Sequence, residues 1–195
     1  MKLEQARAIA EDKVRMFAPF CERVEIAGSI RRGKPEVKDI EIVAQPRITA
    51  LQDIFGTVVD VVSALNGINF DALGLVVKKG PRYKKISLKE GISLDLFIVM
   101  PPATWGVIFA LRTGPDEWSK WAVTRRAMGG GLPTDMRVDD GRVLRGGRAV
   151  VAETGLVTGY VGGDPVPTPE EADFLRLVGC ADAPPSERRA QWGRG

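Results

Sequence analysis

The sequence predicts an α/β (α+β) fold: a mixed β-sheet with flanking helices, followed by a smaller α/β lobe. Three observations carry this. Residues 3 to 17 place apolar side chains at helical spacing. Residues 23 to 27, 37 to 43 and 93 to 100 alternate or run apolar at strand length. Pro101-Pro102 then separates them from a second set of helices and short β pieces.

In the first helix Leu3, Ala6, Ile9, Ala10, Val14 and Phe17 form one buried face, and Pro19 marks its end. RVEIA, from Arg23, reads as a strand running into Gly28. In VKDIEIV, from Val37, period-two alternation puts Val37, Asp39, Glu41 and Val43 on one face and Lys38, Ile40 and Ile42 on the other; Pro46 closes the strand. Residues 49 to 66 fit helix and strand equally. VVKKGPRYKKISL, from Val76, reads as a hairpin or strand pair with Gly-Pro in the turn. SLDLFIVM, from Ser93, reads as a buried strand with Asp95 and Phe97 on one face and Leu94, Leu96 and Ile98 on the other.

Beyond the double proline, residues 105 to 111 and 116 to 128 read as helices, the second stopped by Gly129-Gly130-Gly131. Short β pieces are expected around Arg137, Val143 and Val150. Thr168-Pro169-Glu170-Glu171 reads as a capping box, with Thr168 at the N-cap, opening a helix that Gly179 ends. The tail from Pro184 is polar and basic. The expected domains are residues 1–102 and 103–195.

Composition excludes several chemistries. The 195 residues contain no histidine, which removes Ser-His-Asp and Cys-His catalysis and His-containing zinc sites. Cys21 and Cys180 have no metal-ligand spacing and read as reduced thiols, at least one of them packed. The net charge of +3 is compatible with a polyanionic partner without requiring one. No apolar run approaches a membrane span of roughly 20 residues, so the expectation is a soluble, cytoplasmic protein with no membrane partner.

GSIRRGK, from Gly28, fits most of a phosphate-binding P-loop, but Pro35 stands where the metal-binding hydroxyl belongs. The segment that follows alternates as a strand, whereas a P-loop opens a helix there. The better reading is a strand-turn-strand phosphate site. Gly28 permits a tight turn, Ser29 supplies a hydroxyl and an N–H, and Arg31 or Arg32 can grip phosphate oxygens. Asp39 and Glu41 point the same way and repel each other unless a cation lies between them. A hard divalent ion with oxygen ligands resolves that repulsion and bridges to a triphosphate. Asp95 can complete a two-metal site. A lone acid within LDLFIVM is costly to bury without a partner, which favours it over Asp60 as the third acid. The bland alternatives are a solvated sheet face for the acids and plain surface charge for the arginines.

The pattern G-S-x-R-R-G, then acid-x-acid on a strand, then L-D-L resembles the nucleotidyltransferase fold of DNA polymerase β and the X family. TWGVIFALRTGPDEWSKW, from Thr104, is similar to that family's helix, Thr-Gly turn and helix at the nucleotide pocket. DFLRLVGCADAPPSERR, from Asp173, is similar to its C-terminal ending. The similarity runs over nearly the whole chain and is nearest to the minimal viral members, which have a palm and a C-terminal lobe without a helix-hairpin-helix or lyase region.

The resemblance implies a monomeric, metal-dependent DNA polymerase. It would transfer dNMP from a nucleoside triphosphate to the 3′-hydroxyl of a primer-template or gapped DNA, in short gap filling or end joining. It implies two Mg²⁺ or Mn²⁺ ions held by Asp39, Glu41 and Asp95, with Asp95 as proton acceptor. Gly28, Ser29 and Arg32 would serve the phosphates. Leu111, Arg112, Thr113 and Gly114 would line the sugar and base pocket, with Asp116 and Ser119 beside the base. It also implies a cis peptide after Gly114. Three positions depart from the family: Glu41 where Asp is usual, Leu111-Arg112 where an aromatic pair gates the sugar, and Phe97 where a basic residue often orients the catalytic acid. For DNA contact the densest basic run is Lys78, Lys79, Arg82, Tyr83, Lys84 and Lys85. The alternatives are a nucleotidyltransferase acting on RNA, a protein or a small molecule, and a non-catalytic DNA-binding protein of the same fold.

Overall fold

The computed structural model describes residues 1–52 and 54–193. The chain divides into two compact units, Met1–Met100 and Pro101–Gly195. The mixed α/β class read from the sequence holds in each. Among the described residues no helix is long and apolar enough to cross a membrane.

The first unit runs α1 (Leu3–Phe17), β1 (Cys21–Ile26), α2 (Gly28–Arg31), β2 (Asp39–Pro46), β3 (Ile48–Gln52), β4 (Val58–Ser63), β5 (Gly74–Lys79), β6 (Tyr83–Leu88) and β7 (Ser93–Ile98). Its main sheet has the order β1-β2-β7-β6-β5. Only the β2–β7 pair is parallel; the other three pairs are antiparallel. One face carries Ile40, Ile42, Ile86, Leu94 and Leu96, all buried, and packs with Ala6, Ala10 and Phe17 of α1 and with Leu65 and Phe70. Burying side chains of this size stabilises by roughly 1.5–3 kcal/mol each, which fixes the strand register. Asp39, Glu41, Asp95, Tyr83 and Lys85, which alternate with these residues, therefore turn to the other face. Segment 49–66, ambiguous in the sequence, is largely the separate β3–β4 hairpin.

Two expectations are corrected here. The segment after β1 is not a simple turn: Gly28–Arg31 forms a single helical turn, with Gly28 at φ +58° starting it. The next strand starts at Asp39 rather than Val37, because Val37 is tied outside the sheet, its N–H donating to Met1 O at 2.9 Å.

The second unit contains α3 (Trp105–Thr113), α4 (Asp116–Val123), β8 (Met136–Asp139), β9 (Arg142–Arg145), β10 (Arg148–Val151), β11 (Val157–Val161), β12 (Asp164–Val166) and α5 (Glu171–Leu177). Its sheet is β12-β9-β8, beside a β10–β11 hairpin. Val107, Ala110, Trp118, Trp121, Val143 and Phe174 centre its core.

The helix expected over 116–128 stops at Val123. Thr124 leaves helical geometry, and its hydroxyl bonds back to Lys120 O at 2.7 Å. The capping box lies two residues later than expected, between Glu170 and Asp173. Thr168 is engaged elsewhere: its hydroxyl meets that of Thr104 at 2.7 Å, and its carbonyl accepts from Gly106 N at 3.1 Å. A Cβ at Gly106 would lie 2.2 Å from Glu170 O, so only glycine lets this extended segment pass against α3. The basic tail is partly internal as well. Arg188 is 3% exposed, bonds Glu171 Oε1 at 2.9 Å and lies over the Trp118 ring.

Candidate active site

The ladder between β1 and β2 continues through Ala27, whose N–H donates to Glu41 O at 2.8 Å. The chain then turns sharply at Gly28 into α2. A Cβ placed at Gly28 would lie 1.7 Å from Glu41 Oε2. The Glu41 carboxylate thus rests directly against the Gly28 backbone. The glycine is required twice, for its left-handed φ and for the space the acid occupies.

Asp39 and Glu41 stand two apart on β2 and share its polar face. On the parallel neighbour β7, Ser93 pairs with Asp39 and Asp95 with Glu41. The sheet therefore brings Asp39, Glu41 and Asp95 to one face. Asp60 lies on the separate β3–β4 hairpin, its Oδ1 accepting from Val61 N at 2.7 Å.

Asp95 is 8% exposed and compensated from the next strand. Tyr83 donates to its Oδ1 at 2.5 Å, and Lys85 Nζ lies 3.3 Å from Oδ1 and 3.4 Å from Oδ2. Both come from β6, where Lys85 is the register partner of Asp95 and Tyr83 that of Phe97. Phe97 stacks on Tyr83 with ring centroids 5.2 Å apart and so steadies the phenol. A basic partner for the acid thus exists despite Phe97; it arrives from across the ladder.

Beside these acids lies a cleft of about 280 Å³ lined by Ser29, Arg32, Glu36, Lys38, Asp39 and Glu41. Ser29 Oγ is buried there with no hydrogen-bond partner among the described residues. An orphaned hydroxyl beside a guanidinium, an ammonium and hard carboxylate oxygens has the chemistry of a metal-triphosphate site. Among the described residues no three His, Cys, Asp or Glu side chains converge as a ready-made metal group. Asp95 is held by Tyr83 and Lys85, and Glu41 rests on Gly28.

The basic run of 78–85 is not one surface. Strand alternation sends Tyr83 and Lys85 to the acid-bearing face, together with Lys78, which pairs with Lys85 and lies over the Tyr83 ring at 5.7 Å. Lys79 and Lys84 go to the opposite face. Arg82 is exposed in the turn.

In the second unit the segment 111–119 packs tightly. Thr113 and Gly114 are buried at the end of α3, Leu111 is half-buried, and Arg112 and Asp116 are exposed. The Ser119 hydroxyl donates to Leu111 O at 2.7 Å and so links α4 to α3. Asp116 pairs with Lys120 at 2.6 Å. The expected cis bond after Gly114 is not there. Gly114–Pro115 is trans, the lower-energy form, and Pro115 serves as the N-cap of α4; the cis bond is Pro101–Pro102.

Sequence reasoning missed the Tyr83–Asp95–Lys85 arrangement. Its one legible signal was the period-two spacing of Tyr83 and Lys85. It also missed Arg125 and Arg137, whose guanidinium carbons lie 4.4 and 5.5 Å from the Tyr160 ring centre. Arg125 donates to the Tyr160 hydroxyl at 2.7 Å. No protein-family model matches the chain, and no curated protein matches it.

Proposed function

We propose that this protein is a metal-dependent nucleotidyltransferase. It transfers a nucleoside monophosphate from a deoxynucleoside triphosphate to a DNA 3′-hydroxyl and releases pyrophosphate, in short gap filling or end joining. The observation that carries the reading is the grouping of Asp39, Glu41 and register-paired Asp95 beside a cleft with the buried, partnerless Ser29 hydroxyl.

In this reading Ser29 and Arg32 bind the β- and γ-phosphates, the hydroxyl gaining the partner it lacks. Asp39, Glu41 and Asp95 would hold two Mg²⁺ or Mn²⁺ ions, whose chemistry is to neutralise the triphosphate and ease deprotonation of the attacking hydroxyl. Asp95 receives that hydroxyl proton. Tyr83 and Lys85 fix where its oxygens point, which is positioning rather than chemistry. Dependence on nucleoside triphosphates places the work inside the cell.

The test is primer extension on a one-nucleotide gap, with each dNTP and NTP supplied singly, in Mg²⁺ and in Mn²⁺, against Asp95→Ala. The proposal expects templated dNMP addition by the wild type and none by the variant. Failure of the wild type, or equal activity of the variant, refutes it. Transfer to RNA or protein without a template would favour a nucleotidyltransferase of another substrate class.

A further inference from the structure

We propose that the cleft lined by residues 66–71, Lys79 and Lys84 binds a dianionic phosphate, free or as a terminal monoester, between the two lysine ammonium groups. The cleft is on the face of the sheet away from the acids, so the proposal does not rest on the polymerase reading.

Lys84 is the register partner of Leu96 and turns toward the apolar face. It is 6% exposed. Its ammonium meets Gly80 O at a weak 3.3 Å and lies over the face of Phe70 at 5.1 Å. No carboxylate lies within ion-pair distance of it among the described residues. Asp71 lines the cleft but pairs with neither lysine. Burial pushes the Lys84 pKa down, and Lys79 pushes it the same way. Lys79 faces Lys84 across the β5–β6 ladder, and like charges opposite one another destabilise a strand pair.

Lys13 shows how this chain treats a buried lysine when no ligand is involved. It is 5% exposed, and its ammonium meets Glu90 Oε1 at 2.7 Å and Asp12 Oδ2 at 3.4 Å. Lys84 has no such counter-charge, and a buried unpaired charge is costly. Beside it is a cleft of about 470 Å³, large enough for a phosphate ester, with Asn66 and Asn69 among the residues of its wall. A carboxylate, with one charge, leaves one ammonium uncompensated. A phosphate dianion answers both and still accepts from an amide N–H.

The experiment uses the full chain carrying Arg32→Ala, which removes the phosphate contact proposed for the other cleft. Lysine side chains labelled with ¹³C at Cε are followed by NMR during titration with inorganic phosphate, a nucleoside monophosphate, and an oligonucleotide with diester linkages only. The expected result is saturable movement of the Lys79 and Lys84 signals. Response to inorganic phosphate alone assigns the free anion, and response to the monophosphate as well assigns the monoester. Adding Lys79→Met, an exposed position, is expected to weaken binding by about tenfold or more. Adding Lys84→Met is expected to abolish binding without lowering Tm, since it removes an uncompensated buried charge. Unmoved lysine signals, unchanged affinity with Lys79→Met, or the diester oligonucleotide binding as tightly as the monophosphate overturns the proposal.

Discussion

The Tyr83 hydroxyl donates to Asp95 Oδ1 at 2.5 Å, across the antiparallel pair of β6 and β7. Lys85 approaches the same carboxylate two residues further along β6. The acid proposed to receive the primer proton is therefore held from the neighbouring strand. Tyr83→Phe removes one hydrogen bond to a charged acceptor, a contact worth about 1.5–3 kcal/mol. The expected outcome is a fall in single-turnover rate of roughly ten- to a hundredfold at saturating nucleotide. Lys85→Met is expected to do the same. Retained rates in both variants would remove the positioning role.

Gly28 and Gly33 separate backbone strain from steric conflict. Both have positive φ, +58° and +69°. A Cβ at Gly28 strikes the Glu41 carboxylate, and one at Gly33 meets nothing within 4 Å. Each Ala substitution is expected to cost about 1–2 kcal/mol in stability through the left-handed backbone. Only Gly28→Ala also displaces Glu41, so it alone is expected to lower nucleotide transfer, by about tenfold or more. Thermal melts and single-turnover rates of both variants check this.

The Lys13–Glu90 pair gives a pH signature. Its hydrogen bond to Lys13 is the main cause holding the Glu90 carboxyl below the usual glutamate range. A lowered folded-state value means the stabilisation is complete above that range and is lost as pH falls through the folded value. Because Glu90 is about a third exposed, Glu90→Gln is expected to cost only about 1 kcal/mol at neutral pH. The Tm gap between wild type and variant is expected to close as the pH drops below the glutamate range. A gap that stays constant with pH would contradict the assignment.

Burial pushes the Cys21 thiol up to about 11, outweighing the opposite pull of Arg47. Thiolate is the reactive form. Cys21 is therefore expected to resist alkylation at pH 8 in the folded chain and to react fully in denaturant, as read by mass spectrometry of the Cys21 peptide. Rapid labelling of the folded protein would contradict the burial.

The sheet was legible because its strands alternate: Ile40 and Ile42 against Asp39 and Glu41, Leu94 and Leu96 against Asp95. α1 was legible from its apolar face. The turn at Gly28–Arg31 was not, because four residues carry no periodic signal. The helix start near Thr168 was misplaced because a hydroxyl partner distant in sequence, Thr104, outcompeted local capping. For the site, the i, i+2 spacing of Asp39 and Glu41 and the lone acid Asp95 in an apolar strand pointed to the three carboxylates, but their register is a tertiary fact. The same holds for Tyr83, Lys84 and Lys85. Together they read as one basic run, yet two of them face an acid and the third faces a cleft on the other side.

The most direct measurement of the central claim is the single-turnover rate of templated addition at a one-nucleotide gap, with pyrophosphate counted against nucleotide incorporated. The account predicts one pyrophosphate released per nucleotide added. It also predicts a loss of about a thousandfold or more in Asp95→Asn, which keeps the shape of the side chain and removes its charge. No templated addition by the wild type, or an Asp95→Asn rate within about tenfold of it, would contradict the account.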